Sequence, residues 1–330
     1  MTVSTRLAAA LMGLALTVLA GAAGAQEASK IVIGLASGSL PTSAPRIANQ
    51  MGLFAKRGLE PRISQMEDSA TVTTALIAGS VDFAVMAPSD IIVAQARGQA
   101  LVAAATIYGG YSPVLVLSKK AAEQSGVSAN APVGDRLKAL QGILIATPSP
   151  VSNFTLGLNC ATANAGSKPR LTHMGQQAMP AALATGAIEG YMASAPFYGV
   201  ALLSGTGVMW VSGPKGEFPA GCATAYAATL NTTRAYAQAN PEVVRRVQAV
   251  FADFADAVRQ RPDDVKAAIG TVFPSIDRAM IDVLFESESS GFAAKPPTAE
   301  GMAREIGFVK LSTPQLQGLD KIDPAGLLLP

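Results

Sequence analysis

The sequence predicts an α/β protein of two lobes, each an open, mostly parallel sheet, joined by two crossings of the chain. Three observations predict it. Strand-like and helix-like segments alternate from Lys30 to about Tyr108, the pattern of βα units on a parallel sheet. One unit is written twice: residues 75–90 read ALIAGSVDFAVMAPSD and residues 182–197 read ALATGAIEGYMASAPF, each a helix end, a Gly stop, a short apolar strand and a Pro-marked turn. The chain is also too long for one ordinary core: without a leader it keeps roughly 305 residues, enough for two lobes of about 150 each.

Residues 1–25 stand outside the fold. Arg6 is their one charge, followed by an apolar run and an Ala23-Gly24-Ala25 cleavage signal. The run is about a dozen residues, suited to an export signal and short for a spanning helix; an uncleaved membrane anchor is the alternative. No Cys occurs in the first hundred residues, so no lipid anchor is expected, and the mature chain starts near Gln26 in the periplasm.

The first lobe begins with KIVIGLASGS, in which Ile31, Ile33 and Leu35 make a buried strand before a Gly-Ser loop. A helix follows, with apolar spacing at Ile47, Met51 and Phe54 and a stop near Gly58. EPRISQM is the second strand. EDSATVTTALIAGS gives a helix capped by Asp68 or Ser69 and stopped at Gly79. VDFAVMA is the third strand, PSDIIVAQARG the next helix, and LVAAATIY the fourth strand. Residues 108–113 then read as a crossing into the second lobe, so residues 26–110 form the first part of lobe one and 111–222 form lobe two.

Lobe two repeats the plan. LKALQGILIATPSPVSNF is a helix end, a strand, a loop and a helix start, PRLTHMG a strand, and GVMWVSGP another that buries Trp210. CATAYAATLN, residues 222–231, reads as a strand returning to lobe one, so residues 223–330 complete that lobe. Helical patterns in PEVVRRVQAVFADFADAVRQ, PDDVKAAIG, SIDRAMIDVLFE and residues 303–309 then pad its outside. Two such sheets joined by two crossings make a hinge that closes two sets of strand ends over one ligand.

These motifs resemble a family. IANQMGLFAKRGLEPRI, ALIAGSVDFAVMAPSD, LKALQGILIATPSP and ALATGAIEGYMASAPF are similar to successive stretches of bacterial solute-binding proteins for sulfonates, nitrate, taurine and thiamine-pyrimidine-like ligands, over roughly residues 30–230. The resemblance implies a type II periplasmic binding-protein fold and an ABC permease–ATPase partner in the inner membrane. The chain departs from the family pattern at ATPSP, where a Gly-Ser loop is usual, and at Phe197, near a common acidic position. Ligand identity therefore does not carry over.

The candidate ligand residues lie at strand ends and helix starts, where free N–H groups and small hydroxyls are available. They are Gly38, Ser39 and Leu40; Asp68, Ser69 and Thr71; Pro88, Ser89 and Asp90; Ser149, Ser152 and Asn153; and Ser194, Pro196 and Phe197. Asp68, Ser69 and Ser89 are equally ordinary helix caps, and the two roles are compatible. An acid at Asp90 suits an amine-bearing ligand, with capping as its alternative. Tyr108 and Tyr111 flank the first crossing and can stack on a ligand or pack inside; Gln176 is a candidate amide donor. No Arg lies on these loops, so no bidentate clamp for a carboxylate or sulfonate is visible.

Other function classes lose ground. Lys plus Arg number 25 against 23 acids, with no basic stripe for nucleic acid. Charged residues are 15% against a usual ~25%, which suits a compact globule. His173 is the chain's single histidine, so neither a His metal cluster nor a GxSxG-led triad is visible. With no GxxxxGK[ST] or GxGxxG after a strand, no cofactor is expected. Cys160 and Cys222 are free to pair in an oxidising compartment; two separately buried thiols are the alternative. The expectation is a monomeric solute receptor feeding an ABC importer, with an exported enzyme of the same fold or a ligand-presenting sensor subunit as alternatives.

Overall fold

Apolar, β-branched runs bounded by Gly and Pro become strands throughout the chain, and they sort into two sheets. The computed structural model describes residues 28–66, 69–150, 152–219, 221–292 and 295–329; residues 1–27, where the sequence suggests a leader, and Asp68 lie outside the described residues. Lobe one holds β1 (Ser29–Leu35), β2 (Leu59–Gln65), β3 (Phe83–Met86) and β4 (Leu101–Gly109). The chain then enters lobe two with β5 (Val114–Ser118), β6 (Leu144–Thr147), β7 (Arg170–His173), β8 (Gly190–Ala193) and β9 (Gly207–Ser212), and returns with β10 (Tyr226–Thr233).

The sheet orders are β2-β1-β3-β10-β4 and β7-β6-β8-β5-β9. In each, the first three strands are parallel, from Ser29↔Leu59 to Leu35↔Gln65 in β1–β2 and from Leu144↔Arg170 to Thr147↔His173 in β6–β7. The strand beside a crossing runs antiparallel to both neighbours: β10 between β3 and β4, and β5 between β8 and β9. Both sheets are thus mixed, with one reversed strand each. The reversal follows from the crossings, because a strand entering from the other lobe starts at the opposite edge of the layer.

Three local expectations are corrected. The helix read as continuous through Ile47, Met51 and Phe54 breaks into Ala44–Gln50 and Leu53–Lys56. Gly52 between them has φ 71°, a left-handed turn that apolar spacing cannot reveal. The return strand begins at Tyr226, not at Cys222, since Cys222 is disulfide-bonded to Cys160 with Cα atoms 5.4 Å apart.

The third correction concerns the C-terminal helices. Pro241–Gln260 is strongly amphipathic, burying Val244, Val247, Phe251, Phe254 and Val258 at helical spacing. Arg278–Phe292 packs on β4 as expected, but also on Phe197–Leu203 of lobe two. A Cβ on Gly199 would lie 2.6 Å from Met280 Sδ, so the two helices meet at near backbone distance. One apolar layer consequently runs from Ile47 and Phe54 through Phe251 and Leu284 to Tyr191, Tyr198 and Ala201, touching both sheets. Separate clusters cover the far faces: Val72, Leu76, Ile91, Met302 and Ile306 on lobe one, and Leu115, Leu137, Leu158 and Trp210 on lobe two.

Candidate functional site

The lobe-one side of the candidate site is built on the turn after β1. Four hydroxyl residues and a Pro crowd residues 37–43, and the chain folds into a 3-10 turn, Pro41–Ser43, stitched by its own side chains. Ser37 Oγ lies 3.0 Å from both Ser39 Oγ and Thr42 Oγ1, and Ser39 Oγ lies 3.2 Å from Thr42 Oγ1. Thr42 Oγ1 is also 3.0 Å from the carbonyls of Ser37 and Ser39, while Ser43 donates to the Ser39 carbonyl at 2.9 Å. A Cβ on Gly38 would lie 2.7 Å from Gln65 Oε1, which brings the end of β2 over the same turn.

The next two lobe-one turns give different results. The helix Ser69–Ile77 starts at Ser69, with Thr71 exposed in its first turn. In the helix Pro88–Ala96, Ala87 occupies the capping position and no side chain caps it. Ser89 and Asp90 lie half-buried inside the first turn, where the Asp90 charge suits the helix dipole.

On lobe two, Ser152 caps the helix Asn153–Asn164 by accepting from the Thr155 N–H at 3.3 Å. Its hydroxyl also donates to the Ser149 carbonyl at 3.0 Å. A relay of hydroxyls runs from buried Thr155 and Thr147 out to the exposed His173: Thr155 Oγ1 is 2.7 Å from Thr147 Oγ1, which is 2.9 Å from His173 Nδ1. His173 is therefore tied to its neighbouring strand. Gln176 Oε1 accepts from the Ser194 N–H at 2.8 Å, joining the loops after β7 and β8 and leaving the amide nitrogen as Gln176's donor.

The two lobes meet at these turns. Leu40 N–H, in the loop after β1, donates to the Ala195 carbonyl, in the loop after β8, at 2.8 Å. Ser194 is buried with its hydroxyl 3.2 Å from Ser112, which lies in the first crossing. Phe197 is half-buried against the shared apolar layer beside Pro196. The structure thus brings the turn with Ser39 and Leu40 directly against the turn with Ser194 and Pro196.

The two crossing tyrosines face inward. Tyr111 is buried, donates to the Asn153 carbonyl at 2.8 Å and stands edge-on to Phe218; burial pushes its hydroxyl well above the usual range. Tyr108 is buried edge-on to Phe292 and donates to Glu288 Oε2. Glu288 Oε1 accepts from Tyr198 of lobe two at 2.6 Å. Burial raises the Glu288 carboxyl to about 7, against the pull of the two hydroxyls. Glu305 does comparable work at the second crossing: its Oε1 accepts the N–H groups of Ala225 and Tyr226, and burial raises it to about 7.

Ser37, Thr42 and Ser112 belong to this seam and were not among the residues singled out from sequence. The first two sit in a hydroxyl-rich run beside Ser39, a signal that was available. Glu288 gave none, being one acid in an amphipathic helix. Grooves also lie elsewhere. One of about 530 Å³ runs between Ala104–Thr106 of β4 and the helix Pro241–Gln260; another of about 400 Å³ lies at the hinge beside Tyr108, Tyr111 and Tyr226. Among the described residues no cluster of His, Cys, Asp and Glu has the make-up to hold a metal, and no helix is long and apolar enough to cross a membrane.

The sequence profile of the NMT1-like family matches residues 24–273. No curated protein sequence matches the chain. Among solved structures, a protein of Bordetella bronchiseptica RB50 superposes with a TM-score of 0.72 at 21% identity, covering 92% of this chain and 95% of that one. The periplasmic aliphatic sulphonate binding protein SsuA from Escherichia coli gives 0.66 at 19% identity, covering 91% and 98%. The ligand-binding component of an ABC-type import system from Staphylococcus aureus, with zinc bound, gives 0.67 at 17% identity, covering 91% and 98%. At these identities the likeness concerns the fold.

Proposed function

The chain belongs to the NMT1-like family, and from that premise we propose that it is a periplasmic receptor that captures a small organic or anionic solute between its lobes and delivers it to an ABC permease–ATPase complex. The observation that carries the reading is the seam where the turn after β1 meets the turn after β8, through Leu40 and Ala195. Hydroxyls from both lobes flank it, Ser37, Ser39 and Thr42 on one side and Ser112 and Ser194 on the other, which suits a small polar solute. The structural neighbours, among them a sulphonate-binding protein and the ligand-binding component of an ABC-type import system, support it.

In this reading Gly38, Ser39 and Leu40 contact the solute from one side and Ser194, Pro196 and Phe197 from the other. Ser69, Thr71, Pro88, Ser89 and Asp90 extend the lobe-one wall, and Ser149, Ser152, Asn153 and Gln176 extend that of lobe two. Asp68 joins the lobe-one group. Tyr108 and Tyr111 support these walls from behind. The mechanism is a population shift: open and closed forms exchange, and a solute that touches both lobes favours the closed one. The leader is removed after export and the mature monomer diffuses freely, without an anchor, cofactor or catalytic role.

The test is a thermal-shift screen of the mature protein against small sulfonates, carboxylates, amines and heterocycles. A receptor gives a rise in melting temperature with at least one compound class. No rise across the panel, together with product in a turnover assay, overturns the reading in favour of an enzyme.

A further inference from the structure

The apolar layer shared by the lobes contains one carboxylate held by a residue from each lobe. Glu288, on the helix Arg278–Phe292, is fully buried. It accepts from Tyr108 at the end of β4 and from Tyr198 at the start of the lobe-two helix Phe197–Leu203. Both tyrosines adjoin connections between the lobes. Tyr108 sits two residues before the first crossing begins, and Tyr198 two residues after Pro196 in the loop that meets Leu40. The packing around them is close: a Cβ on Gly291 would overlap the Tyr108 ring, and Gly199 lies against Met280 and Leu284.

We propose that Glu288 is a proton-sensitive brace between the lobes, fastening lobe two through Tyr198 when the cleft is closed and releasing it as the carboxyl ionises. This rests on the two-lobed receptor reading. The titratable groups facing Glu288 are Tyr108 from β4 and Tyr198 from Phe197–Leu203; its own helix adds the neutral hydroxyl of Ser287 near Tyr198. From the helix Pro241–Gln260 the layer receives Phe254, stacked edge-on against Phe292. No cation contributes to the Glu288 environment.

The direction follows from solvation. In the closed seam the carboxyl holds its proton up to about pH 7. When Tyr198 departs, water reaches the group and its affinity for the proton falls towards the ordinary value of 4.5. Closure therefore takes up a proton, and the closed-to-open ratio falls about tenfold between pH 6 and pH 8. Glu305 titrates in the same range but holds Ala225 and Tyr226 where the chain enters β10, so it bonds no lobe-two side chain.

The experiment uses the mature protein with spin labels at Asn49→Cys and Lys168→Cys, two exposed positions on opposite lobes, and no added solute. The native cysteines are disulfide-bonded and do not label. Pulsed dipolar spectra should shift towards longer distances from pH 6 to pH 8, with the population ratio changing about tenfold. Glu288→Gln should abolish the pH response, Glu305→Gln should keep it, and Tyr198→Phe should move its midpoint to higher pH, since a donor that lowers the carboxyl's affinity for its proton is lost. A pH-independent distance in the unsubstituted protein, an unaltered response in Glu288→Gln, or an unmoved midpoint in Tyr198→Phe overturns the proposal. With no solute present, these outcomes are separate from the thermal-shift test of receptor function.

Discussion

Breaking the Cys160–Cys222 bond should cost this protein about 4 kcal/mol, through a cross-link that closes a loop of 62 residues. The entropy removed from the unfolded chain by a loop of that size is about 14 cal/mol/K, which gives that figure near 25 °C. The folded state should lose little, because both cysteines pack in lobe two's apolar cluster and alanine leaves only a small void. The assay is urea unfolding of the parent protein against the double variant Cys160→Ala/Cys222→Ala, followed by far-UV circular dichroism and by Trp210 fluorescence. Trp210 is fully buried in lobe two, with its indole N–H donating to the Arg136 carbonyl at 2.9 Å, so it reports on the lobe holding the bond. The two probes should coincide in both proteins, because the shared layer couples the lobes. A loss under about 1 kcal/mol with unchanged slope would show that the unfolded chain is already constrained around this loop, and would refute the entropic argument.

Further outcomes are expected. Gly291→Ala forces a methyl into the Tyr108 ring and should destabilise by about 2 kcal/mol, read as a lower melting temperature; an unchanged value would mean the helix can move aside. Arg136→Ala removes the partner of Glu217, which it meets at 2.9 Å, and the donor to the Trp210 and Ala131 carbonyls; a loss of about 3 kcal/mol in urea unfolding is expected. Glu288 and Glu305 both bind protons more readily folded than unfolded, near 7 against 4.5. Their contribution is full below pH 4.5 and is lost as the pH rises to about 7, with a ceiling of about 3 kcal/mol each. Glu305→Gln should remove its share of that slope in melting curves taken from pH 5 to pH 8. Ser89→Trp and Ser152→Trp should abolish binding of any solute found by thermal shift while the proteins stay folded, Ser152→Trp losing about 1 kcal/mol with its cap. Unchanged affinity in both moves the site elsewhere.

Much of the architecture was legible because each strand is a short apolar run with a Gly or Pro at its edge. VDFAVMAPSD and EGYMASAPF became β3 and β8, each followed by a helix start. What the pattern cannot carry is a contact made between distant segments. SIDRAMIDVLFE reads as a helix padding lobe one, while the helix Phe197–Leu203 after the Pro196 turn was not read at all, and only the close approach at Gly199 shows that the two meet in one layer. Tyr108 illustrates the same limit: its place at a crossing suggests stacking on a solute, but a glycine on a helix some 180 residues later makes room for its ring, and Glu288 takes its hydroxyl. Ser152, given from sequence as a candidate ligand residue, caps its helix. Ser89, read from sequence as an ordinary cap, is not one, because Pro88 takes the first helical position and sets the cap at Ala87.

Hydrogen exchange of the mature protein, with and without the compound that most raises its melting temperature, tests the central claim most directly. A solute trapped where the two sheets end should slow exchange in residues 37–43 and in residues 194–198 together. Protection confined to one lobe, or to the groove between β4 and the helix Pro241–Gln260, would contradict it.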